Sequence, residues 1–149
     1  RLSNRGRCFR LIIFSAFDLT SLIKNDLDWI TIYYSPTVEV LNQLYNEASI
    51  FVAPSWSEGW GLTAAEALQC GCALVCTENG GYQEFAINNK TALTSPVKRL
   101  DMLSDNIIKL IENDDLRFEL ALSGNSFIQQ FTWENSISKM ATLIETTIY

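Results

Sequence analysis

Short apolar runs alternate with amphipathic segments along most of this chain. The runs lie at 9–14, 29–33, 50–53 and 73–76, and a short fifth strand is predicted at 91–94. A strand that reads as a continuous apolar run is buried on both faces, which is typical of a parallel sheet covered by helices. The alternation therefore predicts one doubly wound α/β domain over the whole chain.

The first intervening segments carry helix signals. Ser35 and Pro36 suit the N-cap and the first position of a helix. The apolar face of this helix would present four residues, which are Val38, Leu41, Tyr45 and Ala48. A second helix is predicted from Gly61 to Cys70, with Gly71 directly after its end, where glycine is common.

Three apolar stripes at helical spacing predict three helices in the last third of the chain. Their residues are Leu100, Leu103, Ile107 and Ile111, then Leu116, Leu120, Phe127 and Phe131, and finally Trp133, Ile137, Met140, Ile144 and Ile148. The chain therefore ends in a run of helices, with no further strand expected there.

Composition and charge exclude several classes of function. The 149 residues are 48% hydrophobic, as in a globular protein. The net charge of −6 makes non-specific nucleic-acid binding a poor interpretation. The chain has no histidine, which removes Ser–His and Cys–His nucleophile pairs and every histidine-based metal site.

The four cysteines do not follow the paired spacing of a zinc site. They are Cys8, Cys70, Cys72 and Cys76. The last three have apolar neighbours, so we expect buried thiols in a reducing compartment. No run approaches the roughly 18 apolar residues needed for a membrane span.

The segment at 54–68 carries the candidate chemistry, because it follows the third strand directly and opens a helix. Ligands of doubly wound sheets bind at the carboxyl ends of the strands. Gly59 and Gly61 allow the backbone to approach a ligand closely, and the amides from Gly59 to Thr63 favour phosphate at the helix start. Glu58 and Glu66 bracket this start, which suits one carboxylate near a reacting centre and one on a polyol such as ribose.

Each of these features also has a purely structural interpretation. The Gly-x-Gly pattern occurs in ordinary turns. Glu58 could favour the helix dipole, and Glu66 could be a solvated helix residue. The indoles of Trp56 and Trp60 could serve core packing.

The complete motif from Pro54 to Gly71 favours the functional interpretation over the structural one. It reads Pro-Ser-x-x-Glu-Gly-x-Gly-Leu-(three residues)-Glu-Ala-Leu-x-Cys-Gly and resembles the signature of the family 4 retaining glycosyltransferases. The resemblance extends over residues from about 35 to 149, through the segments 44–52, 70–75, 79–84 and 131–134. It implies a Rossmann-like doubly wound sheet that forms the C-terminal, nucleotide-sugar-binding half of a GT-B enzyme.

Roles for the matching residues follow from the resemblance. It implies that Glu58 is the catalytic carboxylate, close to the anomeric carbon of the donor sugar, as nucleophile or as electrostatic support. It implies that Glu66 binds the ribose hydroxyls. The substrate-binding residues would be Gly59, Trp60, Gly61, Leu62, Thr63 and Glu66. The donor would be a nucleotide-diphosphate sugar, with no cofactor and no metal ion.

The resemblance also has departures. The family holds the donor diphosphate with an Arg and a Lys on an element before the first strand, and nothing in residues 1–7 matches it. The segment 15–18 lacks the glycines common there. We expect an N-terminal acceptor domain outside this chain, and therefore no sugar transfer by the chain alone. We expect the full-length protein to be a hexosyltransferase of polysaccharide biosynthesis, in the cytoplasm or at the inner face of the membrane.

Three other functions remain as alternatives. A glycosyl phosphorylase of the best-known type would need a lysine for pyridoxal phosphate, and none lies between Pro54 and Cys70. A sugar-nucleotide epimerase shares the architecture. A non-catalytic nucleotide-binding module would need neither Glu58 nor Glu66, because phosphate binding alone requires no carboxylate.

Overall fold

The computed structural model describes residues 9–19 and 28–148. Residues 1–7 and Cys8, which entered the sequence analysis, lie outside this part of the chain. The described elements are β1 (Leu11–Ser15), β2 (Ile30–Tyr34), α1 (Val38–Glu47), β3 (Ile50–Ala53), α2 (Leu62–Gln69), β4 (Ala73–Glu78), β5 (Ala92–Pro96), α3 (Leu100–Glu112), α4 (Asp114–Ile128) and α5 (Trp133–Ile148). Two compact units divide the chain, at 1–47 and 48–149. A single donor-binding domain over 1–149 stays a prediction.

The first unit contains a parallel pair of strands, β1 and β2, with Leu11 opposite Ile30. Helix α1 begins at Val38, so the predicted start at Ser35 and Pro36 is wrong. The reason is that the Ser35 amide donates to the Ser15 carbonyl at 2.8 Å, so the chain there is still tied to the strand. The hydroxyl of Thr37 accepts from the Val40 amide at 3.4 Å instead.

The apolar face of α1 is also shifted from the predicted one. Leu44 and Tyr45 are buried, whereas Val38 is exposed and Ala48 lies beyond the helix. The ring of Phe14, on β1, meets the ring of Tyr45 edge-on at 5.9 Å. Contacts of this kind fix the helix face by tertiary packing rather than by the first apolar residue of the segment.

The second unit is built on a parallel sheet in the order β3-β4-β5. Ala53 lies opposite Cys76, and Thr77 lies opposite Ser95, so the carboxyl ends of all three strands meet at one edge. One apolar cluster on the sheet includes Leu74, Phe85 and Ile128, together with residues of α2. A second cluster joins other residues of the same strands to α3 and α4. Helices therefore cover both faces, and the predicted α/β fold is confirmed.

The predicted helical stripes need two corrections. In α3 and α4 the buried side chains include Leu110 and Ile128, which the stripes left out, whereas Leu100 is exposed. On α5 the predicted stripe from Trp133 to Ile144 is exposed along its length. The spacing of apolar residues predicts a helix, but it does not predict which face is buried, because that depends on the surface against which the helix packs.

Two of the cysteines behave as expected. Cys72 and Cys76 are fully buried thiols, while Cys70 is only partly buried. Burial raises the pKa of each buried thiol to about 12, with a smaller contribution from neighbouring Cys70 or Glu78 charge. None of the described helices has the length and apolar character required to cross a membrane.

Candidate functional site

The site is built on the segment from Pro54 to Gly61, the β3–α2 loop, at the carboxyl edge of the three-stranded sheet. Gly61 is the N-cap of α2 and has a φ of 86°, in the left-handed region. A Cβ on Gly61 would lie 2.1 Å from Cε1 of Tyr82. Backbone conformation and space therefore both require glycine where the loop enters the helix.

Asn79, just after β4, holds this loop from the side. Its Nδ2 donates to the Ser55 carbonyl at 3.0 Å, and its Oδ1 accepts from the Gly81 amide at 3.0 Å. The hydroxyl of Thr77 donates to the same Ser55 carbonyl. The start of the β3–α2 loop is thus hydrogen-bonded to the segment that follows β4.

Gly81 supports the middle of the same loop. A Cβ on Gly81 would lie 2.5 Å from the Glu58 carbonyl oxygen and 2.7 Å from the Glu58 Cβ. The main chain of Glu58 therefore rests on the Gly81 backbone, while the Glu58 residue as a whole is exposed. A backbone fixed in this way presents its carboxylate to solvent from a defined position.

Tyr82 completes the support beneath the loop. It is 3% exposed and lies against Gly61. Burial raises the pKa of its hydroxyl, hydrogen bonding to Ser55 opposes this, and the charge of Glu58 adds to it. Sequence reasoning missed Thr77, Asn79 and Tyr82 as site-building residues. An Asn-Gly-Gly turn directly after a buried strand is the signal that could have found Asn79.

The amino end of α2 is open. The amides of Ala64 and Ala65 donate to the Gly61 carbonyl at 3.1 Å, but no carbonyl in the described part of the chain accepts from the amides of Leu62 and Thr63. Such orphan donors, together with the helix dipole, favour an anion.

Glu66 lies on the exposed face of α2, with Leu62 and Thr63, while the alanines and Leu68 are buried. A rise of about 1.5 Å per residue puts Glu66 about 6 Å along the helix from Leu62. The predicted ribose-binding carboxylate therefore lies on the exposed side of α2, about one turn from the amides at the amino end of the helix.

The two loop tryptophans have different surroundings. The Trp60 ring packs in an aromatic cluster, with centroids 5.1 Å from Phe85 and 5.0 Å from Phe131. Core packing therefore occupies the Trp60 side chain. The donor contact expected of Trp60 is one through its backbone amide, and it stays a prediction. Trp56 is 65% exposed, and the Lys98 Nζ lies 5.0 Å from its ring centroid.

A cavity elsewhere in the unit and the search for a metal site limit what belongs to this site. An open cavity of about 520 Å³ lies between α4 and the Lys90–Thr91 segment. This segment precedes β5, so the cavity is at the opposite sheet edge and is not part of the site. Among the described residues, no group of three or more Cys, Asp or Glu side chains is arranged to hold a metal ion.

The chain matches known glycosyltransferases in sequence and fold. The family model for glycosyl transferases group 1 matches residues 22–125. An uncharacterized glycosyltransferase of Methanocaldococcus jannaschii is 28% identical over 124 residues, which are 83% of this chain and 35% of the relative. A D-inositol 3-phosphate glycosyltransferase of Corynebacterium jeikeium is 32% identical over 107 residues, 72% of this chain and 26% of the relative.

A solved structure shows the same architecture. The C-terminal domain of a glycosyl transferase group 1 family protein from Francisella tularensis superposes with a TM-score of 0.62 at 25% identity, covering 69% of this chain and 53% of that one. The chain spans about a quarter to a third of the length of the curated relatives it matches. With the family model covering most of its length and this fold, the chain belongs to the glycosyl transferases group 1 family and has the fold of the C-terminal domain of GT-B glycosyltransferases.

Proposed function

We propose that this chain binds a nucleotide-diphosphate sugar at the β3–α2 loop and that the sugar is transferred with retention of its anomeric configuration. The acceptor, a glycan, a lipid or another molecule, is held by an N-terminal domain of the same protein. One observation carries the proposal. The exposed Glu58 is held by its main chain on Gly81, in the loop that leads into the open amino end of α2.

The donor diphosphate is assigned to the start of α2. The amides of Leu62 and Thr63 lack an acceptor in the described part of the chain, and the helix dipole places partial positive charge there. Glu66, on the same exposed helix face, is assigned to the ribose hydroxyls. The backbone of Gly59, Trp60 and Gly61 borders the donor sugar.

Glu58 is assigned the catalytic role. Glycosyl transfer passes through a positively charged, oxocarbenium-like state, and a fixed carboxylate stabilises that charge. The contact with Gly81 matters because it fixes the main chain of Glu58 before the reaction. A carboxylate that is already in position does not have to be reoriented as positive charge develops on the donor sugar. In this proposal Glu58 acts as the nucleophile or as the electrostatic stabiliser.

No metal ion takes part in the proposed reaction, because the amino end of α2 can neutralise the diphosphate directly. The proposed setting is polysaccharide biosynthesis in the cytoplasm or at the inner face of the membrane. One relative is named as a D-inositol 3-phosphate glycosyltransferase, which supports sugar transfer as the reaction.

A non-catalytic nucleotide-binding module is the second candidate, and a sugar-nucleotide epimerase is another enzyme with this architecture. The open amino end of α2 would serve each of these equally well. The support given to Glu58 favours an enzyme over the non-catalytic module, because phosphate binding alone does not require a carboxylate held in that position.

A thermal-shift panel of this chain tests donor binding. Nucleoside diphosphates and nucleotide sugars are each titrated, since a ligand that binds the native state raises the melting temperature by mass action. We expect nucleoside diphosphates to raise it and the matching nucleosides to have little effect. The proposal fails if no member of the panel shifts the melting temperature at millimolar concentration.

A further inference from the structure

Trp56 and Lys98 form a contact between the loops that follow the two outer strands of the three-stranded sheet. Trp56 follows β3, Lys98 follows β5, and β4 lies between these strands. Neighbouring strands are about 4.8 Å apart, so the pair spans about 10 Å across the end of β4. Only long side chains bridge such a distance, and here they meet at 5.0 Å.

The Lys98 backbone is unusual for a side-chain-bearing residue. Its φ is 65°, in the left-handed region where glycine is the default. Residues held in such regions cluster at ligand-binding and active sites. The chain therefore places a long cationic side chain at a position where glycine would be less strained.

The positive charge of Lys98 is available to a ligand. Among the ion pairs of the described residues Lys98 takes no part, whereas its neighbour Arg99 is held by Asp101 at 2.7 Å. The contact of Lys98 with an exposed indole is weak enough to be exchanged for a charged hydrogen bond.

The position of the pair suggests which ligand it meets. Along the β3–α2 loop, Glu58 lies between Trp56 and the amides that open α2. Since the proposed donor is assigned to the α2 side of Glu58, we assign the second substrate to the Trp56 side. An exposed indole suits the apolar face of a sugar ring, and an ammonium suits an anionic substituent on that ring.

We infer that Trp56 and Lys98 form an acceptor subsite beside Glu58, which binds a sugar ring carrying a phosphate or a carboxylate group, while the proposed N-terminal domain holds the rest of the acceptor. The inference rests on the proposed function, because Glu58 defines the acceptor side only if it lies at the reacting centre. Trp56 packs on the ring, and Lys98 pairs with the anionic group.

Titration followed by NMR tests the subsite on this chain of 16.8 kDa. The probes are glucose 6-phosphate, glucuronate, glucose and inorganic phosphate, and the readout is the Trp56 indole N–H signal, identified with Trp56→Phe. We expect at least one charged sugar to bind at least five-fold more tightly than glucose and than inorganic phosphate. The inference is overturned if neither charged sugar does so.

Variants separate binding from folding. Lys98→Gly fits the left-handed backbone, so it should keep or raise the melting temperature while reducing charged-sugar affinity at least five-fold towards that of glucose. Lys98→Asn, which also tolerates that region, should behave alike. Lys90→Ala is the matched control, since Lys90 is an exposed lysine at the other end of β5. Equal losses in Lys90→Ala and Lys98→Gly would refute a specific subsite.

A parallel titration with a nucleoside diphosphate distinguishes failure of the acceptor subsite from failure of the proposed function. If the diphosphate shifts the Leu62 and Thr63 amides and no charged sugar binds, the inference fails and the proposed function stands. If Lys98→Gly weakens the diphosphate as much as the charged sugar, the pair belongs to the donor site and the acceptor assignment is wrong. If no nucleotide binds, the proposed function fails, and the acceptor assignment fails with it.

Discussion

The main chain of Glu58 rests on Gly81, where a Cβ would lie 2.5 Å from the Glu58 carbonyl oxygen. These two residues belong to segments that follow neighbouring parallel strands, β3 and β4. Their contact is what turns an exposed loop acid into a positioned one. Adding a single methyl group at Gly81, by substitution with alanine, therefore tests this contact.

Gly81→Ala should destabilise the fold by roughly 1–3 kcal/mol, as overpacking usually does, because the new Cβ meets backbone atoms that cannot rotate away. Urea denaturation of this chain measures the change. Gly59→Ala is the matched control, since a Cβ on Gly59 would have no atom within 4 Å. Equal stability of the two variants would contradict the described contact.

Glu58→Gln should lower turnover of the intact enzyme by at least about 100-fold, because the proposed role is to stabilise charge that exists only in the transition state. The residue is exposed, so the melting temperature should stay unchanged. Steady-state kinetics with saturating donor measure the effect. Near-normal turnover would remove Glu58 from the catalytic role.

Glu66→Ala should weaken binding of any nucleoside diphosphate by about 1.5–3 kcal/mol, the usual worth of a hydrogen bond to a charged group. The effect should be the same with and without an attached sugar, since the assigned partner is ribose. Calorimetric titration measures it, with Glu119→Ala as the control for an exposed helix glutamate. A mutant with unchanged affinity would show that Glu66 does not bind the ribose.

Transfer by the intact enzyme should survive EDTA. The proposed neutralisation of the diphosphate uses the amino end of α2 and needs no divalent cation. An assay of sugar transfer before and after chelation checks this. Activity that is lost with EDTA and restored by manganese or magnesium would count against the proposed mechanism.

The buried thiols predict a loss of stability at high pH. Burial raises the pKa of Cys72 and of Cys76 from 9.0 to about 12. The folded chain therefore holds these protons more tightly than the unfolded chain. Their contribution is complete below about pH 9 and declines as the pH rises from about 9 to about 12. Urea denaturation at about pH 8 and about pH 10 measures it, and the decline should be shallower in the double variant Cys72→Ala, Cys76→Ala.

Local sequence predicted much of the second unit. The runs at 50–53 and 73–76 correspond to β3 and β4, and Gly71 follows α2 with a φ of 84°. Each of these features depends on residues close in sequence. An apolar run predicts a buried strand, and a left-handed backbone conformation is one that glycine adopts without strain. The location of the site followed from the same local signals, because the carboxyl ends of parallel strands share one edge.

Other features depended on contacts between distant segments. Nothing in the local sequence separates Trp56 from Trp60, yet Phe85 and Phe131 enclose one indole while the other stays exposed. The start of α1 was misplaced because Ser35 remains bonded to Ser15.

The sequence by itself determined that this chain forms α/β structure and that Glu58 lies in the loop before α2, with Glu66 in that helix. Only the tertiary structure decided how that loop is held: by Asn79, by Gly81 and by the packing of Tyr82 against Gly61. The physical reason is that patterns of apolar residues and glycines act over a few neighbouring positions. The position of Glu58 instead depends on backbone atoms that come together only when β3 and β4 pair in register.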